Sequence, residues 1–121
     1  MILKETRNTP QVILSVEDSV FEISGPSFSN QITDVYQPII QWIDSNLPII
    51  KKDLNCVFNF NLLNSISYKF IIEIIMRLDN YVKEGKSISI KWFHSKDDDD
   101  MYSTGKDISD LFEIPFEIIQ Y

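Results

Sequence analysis

Short stretches of the chain alternate apolar and polar residues with a period of two. In Asn55–Leu62, Cys56, Phe58, Phe60 and Leu62 fall on one side and Asn55, Asn59 and Asn61 on the other. That period predicts a strand half-buried against a core. Ser87–Trp92 repeats it with Ile88, Ile90 and Trp92 as the apolar set. Gln11–Ser15 and Val20–Ser24 predict a hairpin around Val16-Glu17-Asp18-Ser19, and Phe116–Ile119 predicts a last strand. Strands buried on both faces would read as unbroken apolar runs. Helices are therefore expected on mainly one face of the sheet.

Three segments read as helices. Gln31–Leu47 spaces Ile32, Val35, Ile39, Ile43 and Leu47 along one face, and Pro38 within it predicts a kink or a restart. Ser67–Glu84 is the strongest helix, with Gly85 placed for a left-handed cap. Its core stripe is Ile71, Ile74, Ile75, Leu78 and Val82, widened by Phe70 and Tyr81 on one side and by Tyr68, Ile72 and Met76 on the other. An arc that wide fits either a helix sandwiched in the core or one with a partner-facing edge. The third helix should start in Asp97–Asp100, whose charge suits a helix N-terminus, and run to about Phe112, with Gly105 weakening its middle.

The predicted order is ββαβαβα with a possible final strand. The unit between Leu62 and Ile88 should be a right-handed parallel crossover. The expected fold is α/β, a two-layer sandwich with a mixed sheet of four to five strands. No repeat or linker marks a boundary, so residues 1–121 read as a single domain.

Composition narrows the function. A formal charge of -7 repels phosphate backbones and anionic lipid, which argues against nucleic-acid and membrane-surface binding. No apolar run is long enough for a spanning helix, so membrane insertion is not expected. The single cysteine, Cys56, rules out an internal disulfide and suits a reducing compartment. The opening Met-Ile-Leu-Lys-Glu-Thr-Arg lacks the pattern of a secretory signal, and a cytoplasmic location is expected.

Catalytic chemistry finds few candidates. His94 is the one histidine, and Cys56 falls on the apolar side of its strand, where thiols are inert. Consecutive carboxylates such as Asp97–Asp100 diverge on a helix, so a solvated helix start is the plain reading. A small metal-dependent enzyme built on them is the remote alternative. Three glycines, Gly25, Gly85 and Gly105, form no phosphate-cradling loop. No cofactor, metal site or catalytic residue is expected, and the chain is read as a non-enzyme.

The most informative stretch joins the Asn-rich strand to the strongest helix: Leu62-Leu63-Asn64-Ser65-Ile66-Ser67-Tyr68-Lys69. Ser65 or Ser67 can cap the helix by accepting a backbone N–H bond. A hydroxyl at the same place can also be phosphorylated, since helix N-termini stabilise anions. The residues alone leave both readings open.

This stretch resembles the Tyr-Leu-Asn-Thr-Ser-Ser-x-Lys pattern of the SiaC-type regulatory phosphoproteins of bacteria. Asn64, Ser67 and Lys69 match it, Ser65 stands where that family has its phosphoacceptor threonine, and Leu62 and Ile66 depart from it. The family's Gly-x-Ser-Tyr-Pro-Glu-Asn loop stands as Gly25-Pro26-Ser27-Phe28-Ser29-Asn30-Gln31, keeping the Gly and the Ser. Pro38 with Trp42, Trp92 at a strand end, and Asp97–Met101 followed by Gly105 occur in the same order. The resemblance runs from Thr9-Pro10 to about Phe116. It implies a STAS-like (SpoIIAA-like) fold and a partner switch. A protein kinase would phosphorylate Ser65, with Ser67 the rival acceptor, and a PP2C-type phosphatase would remove the phosphate. The unphosphorylated form would bind a target such as a diguanylate cyclase. Asn64, Ile66, Ser67, Tyr68, Lys69, Ile72 and Met76, with Ser27 and Phe28, would form the contact surface. An ordinary STAS-type anti-sigma-factor antagonist is the alternative within the same fold.

Overall fold

The computed structural model describes residues 1–121. Its strands are β1 (Ile2–Leu3), β2 (Gln11–Ser15), β3 (Val20–Ser27), β4 (Leu54–Leu63), β5 (Ile88–His94) and β6 (Phe116–Gln120). Its helices are α1 (Thr33–Asn46), α2 (Ser65–Lys83) and α3 (Asp99–Leu111), with a 3-10 turn at Leu47–Ile49. The sheet has six strands rather than the expected four to five, in the order β1-β2-β3-β4-β5-β6. The strand missed at the sequence level is β1, only two residues long and too short to show a period.

The first three strands are antiparallel neighbours, and β3 through β6 run parallel. Each parallel connection carries one helix and steps one strand further in the same direction. Right-handed crossovers in that succession put all three helices on one face. The burial pattern agrees: β5 reads buried and half-exposed in strict alternation from Ile88 to His94. Phe58, Phe60, Ile88, Ile90 and Trp92 all face the helices and are buried, as the period predicts. On the opposite face Glu22, Val57, Lys91 and Glu117 line up across four strands and are solvated to different degrees.

One cluster of buried residues joins the inner sheet face to the helices. From α1 it takes Tyr36, Ile39, Ile40 and Ile43, with Val35 only half-buried. The helix runs through Pro38 without the expected restart. Pro38 falls early in the helix, and burial of the flanking residues outweighs the one hydrogen bond that the ring removes.

Two features lock α2. At its end Gly85, with φ of +102°, donates to the Val82 carbonyl while Lys86 donates to that of Tyr81. This is a Schellman closure, and it requires the left-handed φ that glycine adopts without strain. One turn before its last residue the buried Asp79 carboxylate accepts the N–H groups of Glu113 at 3.1 Å and Ile114 at 2.8 Å. Lys83 Nζ lies 3.2 Å from its other oxygen. Asp79 thus ties α2 to the segment that leads into β6, with its buried charge fully partnered.

Candidate functional site at the strand-to-helix junction

β4 outruns β5 at its C-terminal end. Its last residues pair only with β3, where the register shifts between Gly25 and Pro26 to set Ser27 opposite Leu63. The Asn64 N–H then donates to the Ser27 carbonyl at 3.0 Å. Asn64 is extended, and its side chain accepts from the Ser67 N–H at 2.9 Å. The cap is therefore Asn64, not Ser65 or Ser67. An asparagine oxygen reaches the third helical N–H as well as a serine does, so the helix starts two residues earlier than its apolar period suggests.

That shift separates the two serines. Ser65 is the first helical residue, exposed, and its Oγ makes no hydrogen bond within the protein. Ser67 is the third and wholly buried. Its Oγ accepts from Ser27 Oγ at 2.7 Å, and Ser27 Oγ lies 2.7 Å from the Tyr36 hydroxyl. Ser27 has a single proton and gives it to Ser67, so the phenol is the donor to Ser27. Burial pushes the Tyr36 phenol well above its ordinary pKa, against the weaker opposite effect of the Ser27 hydrogen bond, so it stays a donor. Tyr36 also stacks on Phe70 of α2, ring centroids 5.4 Å apart. Ser27 and Ser67, expected at the contact surface, lie beneath it instead.

Of the remaining expected contact residues, Asn64, Ile66, Tyr68 and Lys69 lie within about a turn of Ser65, while Ile72 and Met76 lie two and three turns further along α2. Phe28, Ile66 and Met76 are exposed, Asn64, Tyr68 and Ile72 are half-buried, and Lys69 is exposed one turn beyond Ser65. The wide apolar arc of α2 resolves into a core stripe and an open edge. Ile66, Lys69, Phe70 and Glu73 line a shallow depression on one side. On the other, a cleft of about 560 Å³ has Leu62, Asn64, Ser65 and Tyr68 on one wall and Asp98 and Asp100 on the other. Asp98 caps α3 by accepting the Met101 N–H at 3.0 Å, the role expected for the acidic run. No group of three His, Cys, Asp or Glu side chains converges to hold a metal ion.

Cys56 and His94 do not come together. Burial pushes the Cys56 thiol far up. Cys56 pairs with Ile90, and His94 lies four residues further along β5, roughly 13 Å away at the rise of a strand. His94 is itself buried, with Nδ1 2.9 Å from the Ser95 carbonyl.

The model of the SiaC family regulatory phosphoproteins matches residues 3–121. The chain belongs to the SiaC family. Its fold is that of solved family structures. Over its full length it superposes, with a TM-score of 0.94 and 17% identity, on 99% of a chain in the crystal structure of the Pseudomonas aeruginosa diguanylate cyclase SiaD in complex with its activator SiaC. SiaC of Pseudomonas aeruginosa gives 0.91 at 17% identity, covering all of this chain and 98% of that one. Apo-SiaC gives 0.90 at 18%, covering 98% and 97%. An uncharacterized protein of Pseudomonas aeruginosa strain UCBPP-PA14 is 19% identical over 113 residues, 93% of this chain and 90% of that protein. No helix of this SiaC-family chain is long and apolar enough to cross a membrane.

Sequence reasoning missed Tyr36 and Asp79. Tyr36 sits one turn before Ile40 on α1, a position that periodicity assigns to the apolar side. Asp79 is the lone carboxylate between the core positions Leu78 and Val82, four residues before Lys83, and that placement was the available signal.

Proposed function

We propose that the chain is a phosphorylation-switched adaptor that binds a target protein when unphosphorylated, and that Ser65 is its phosphoacceptor. The target is a diguanylate cyclase, the class of enzyme that SiaC activates in the solved complex. A protein kinase adds the phosphate and a PP2C-type phosphatase removes it. The chain itself is not an enzyme, and it works in the cytoplasm.

The observation that carries this reading is the free, exposed Ser65 hydroxyl at the first position of α2, next to exposed Ile66 and at the start of an α2 edge that runs on to exposed Met76. Phosphate there adds about -1.5 to -2 charges. The Ser65 and Ile66 N–H groups, which lack helical acceptors, and the Lys69 ammonium stabilise it in the free protein. Asp98 and Asp100 across the cleft repel it. Closing an apolar interface over that dianion requires stripping its water, at a cost of several kcal/mol. Each 1.4 kcal/mol is tenfold in affinity, so modification should weaken binding by about a hundredfold or more.

The test is a binding titration against the diguanylate cyclase encoded in the same genome, with mass spectrometry of the chain isolated from its own cells. Ser65→Ala should bind as the unmodified chain does, and Ser65→Glu should bind much more weakly. Wild-type affinity in Ser65→Glu, or no phosphate on the α2 first turn, would overturn the proposal.

A further inference from the structure

Ser65 and Ser67 occupy one turn of one helix, carry the same hydroxyl, and meet opposite surroundings. Ser67 is held at two points, its N–H by Asn64 Oδ1 and its Oγ by Ser27. Ser27 is in turn held by Tyr36, whose ring is fixed against Phe70. The three hydroxyls come from β3, α1 and α2, and all three residues are fully buried. A chain of buried hydroxyls is stable only when every member is partnered. Losing one leaves its neighbour unsatisfied, and local opening of the turn becomes about tenfold or more easier. Nothing comparable holds the Ser65 side chain.

We infer that the Tyr36–Ser27–Ser67 hydroxyl chain decides which serine of the α2 first turn is modified, by holding Ser67 inside the fold and leaving Ser65 as the accessible acceptor. This rests on the reading that this turn is phosphorylated. Tyr36, Ser27 and Ser67 are then specificity-determining residues and touch no partner themselves. The device is distributed over three elements, so an otherwise equivalent Ser-x-Ser sequence lacking it would offer both hydroxyls.

The experiment uses the full chain, expressed in the cells that encode it, with phosphate located by mass spectrometry on the tryptic segment Asp53–Lys69, which holds both serines. Wild type should carry phosphate on Ser65 alone. Tyr36→Phe keeps the ring and removes only the hydroxyl, and Ser27→Ala removes the middle link. Each should raise the fraction of phosphate on Ser67 at least tenfold. Amide hydrogen exchange supplies a readout independent of any kinase. The Ser67 N–H should exchange about tenfold faster in both variants, while amides in the middle of α2 keep wild-type rates, which also verifies folding. If Ser67 stays unmodified and its amide stays protected in both variants while Ser65 is phosphorylated, the inference is wrong and the functional reading stands. If wild type carries phosphate on neither serine, the functional reading fails and the assignment of acceptor choice fails with it.

Discussion

Phe60 shows how much one side chain contributes. It is 2% exposed, faces the helices from β4, and lies 5.9 Å from Trp92 and 6.3 Å from Phe58, centroid to centroid. Truncation removes a ring from the middle of an aromatic layer whose neighbours are fixed by their own contacts and cannot collapse inward. Phe60→Ala should lower unfolding stability by about 3–5 kcal/mol, read from urea denaturation. A loss under about 1 kcal/mol would place the ring outside the core. Its inward direction was legible in the alternation of Cys56, Phe58 and Phe60 against Asn55, Asn59 and Asn61. The Tyr36–Ser27–Ser67 chain was not legible, because hydroxyls separated by nine and forty residues give no local signal.

Among the elements, α3 is the one whose composition misleads. Gly105 reads as a defect in its middle, since glycine costs about 1 kcal/mol against alanine in a helix. In the fold Gly105 is buried, and a Cβ there would run into the indole of Trp92. The same approach lets Trp92 Nε1 donate to the Met101 carbonyl at 3.0 Å. The two effects oppose each other, and overpacking against a fixed indole outweighs propensity. Gly105→Ala should therefore destabilise the protein by about 1–3 kcal/mol in thermal or urea unfolding, whereas an isolated α3 peptide would gain helicity from the same change. Increased stability of the whole protein would mean that α3 sits further from the sheet.

For the molecule as a whole, buried proton-bearing groups set the alkaline limit. Burial raises the pKa of the Cys56 thiol and the Tyr36 phenol, whose ordinary values are 9.0 and 10.0. Above about pH 9 the unfolded chain releases these protons while the folded chain keeps them. The folded state then binds more protons, and stability falls as pH rises. The stabilising effect is complete below the unfolded values and is lost above them, at up to about 1.4 kcal/mol per pH unit for each group. Denaturation midpoints measured from pH 7 to pH 11 should decline beyond pH 9, and Cys56→Ala should flatten the first part of that decline despite lower stability at pH 7. An unchanged slope in Cys56→Ala would exclude the thiol as a source.

Local sequence was sufficient wherever one segment decides its own state. Period-two alternation located β2, β4 and β5, and the face that β5 buries and that β4 buries as far as Phe60; Leu62, assigned to the same face, lies past the register shift and is exposed. Helical spacing located α1 and α2, Gly85 marked the end of α2, and the acidic run marked the start of α3. One-sided strands implied helices on one face, because a half-polar strand cannot be buried twice. What depends on which distant groups meet was decided only by tertiary structure. Asn64 rather than a serine caps α2 because β3 fixes the backbone just before it. Ser67 is enclosed because β3 and α1 bring Ser27 and Tyr36 to it, and Asp79 is inside because the backbone before β6 supplies its partners. Hydrophobic period is a property of neighbours along the chain, whereas partnering of a buried polar group is a property of neighbours in space.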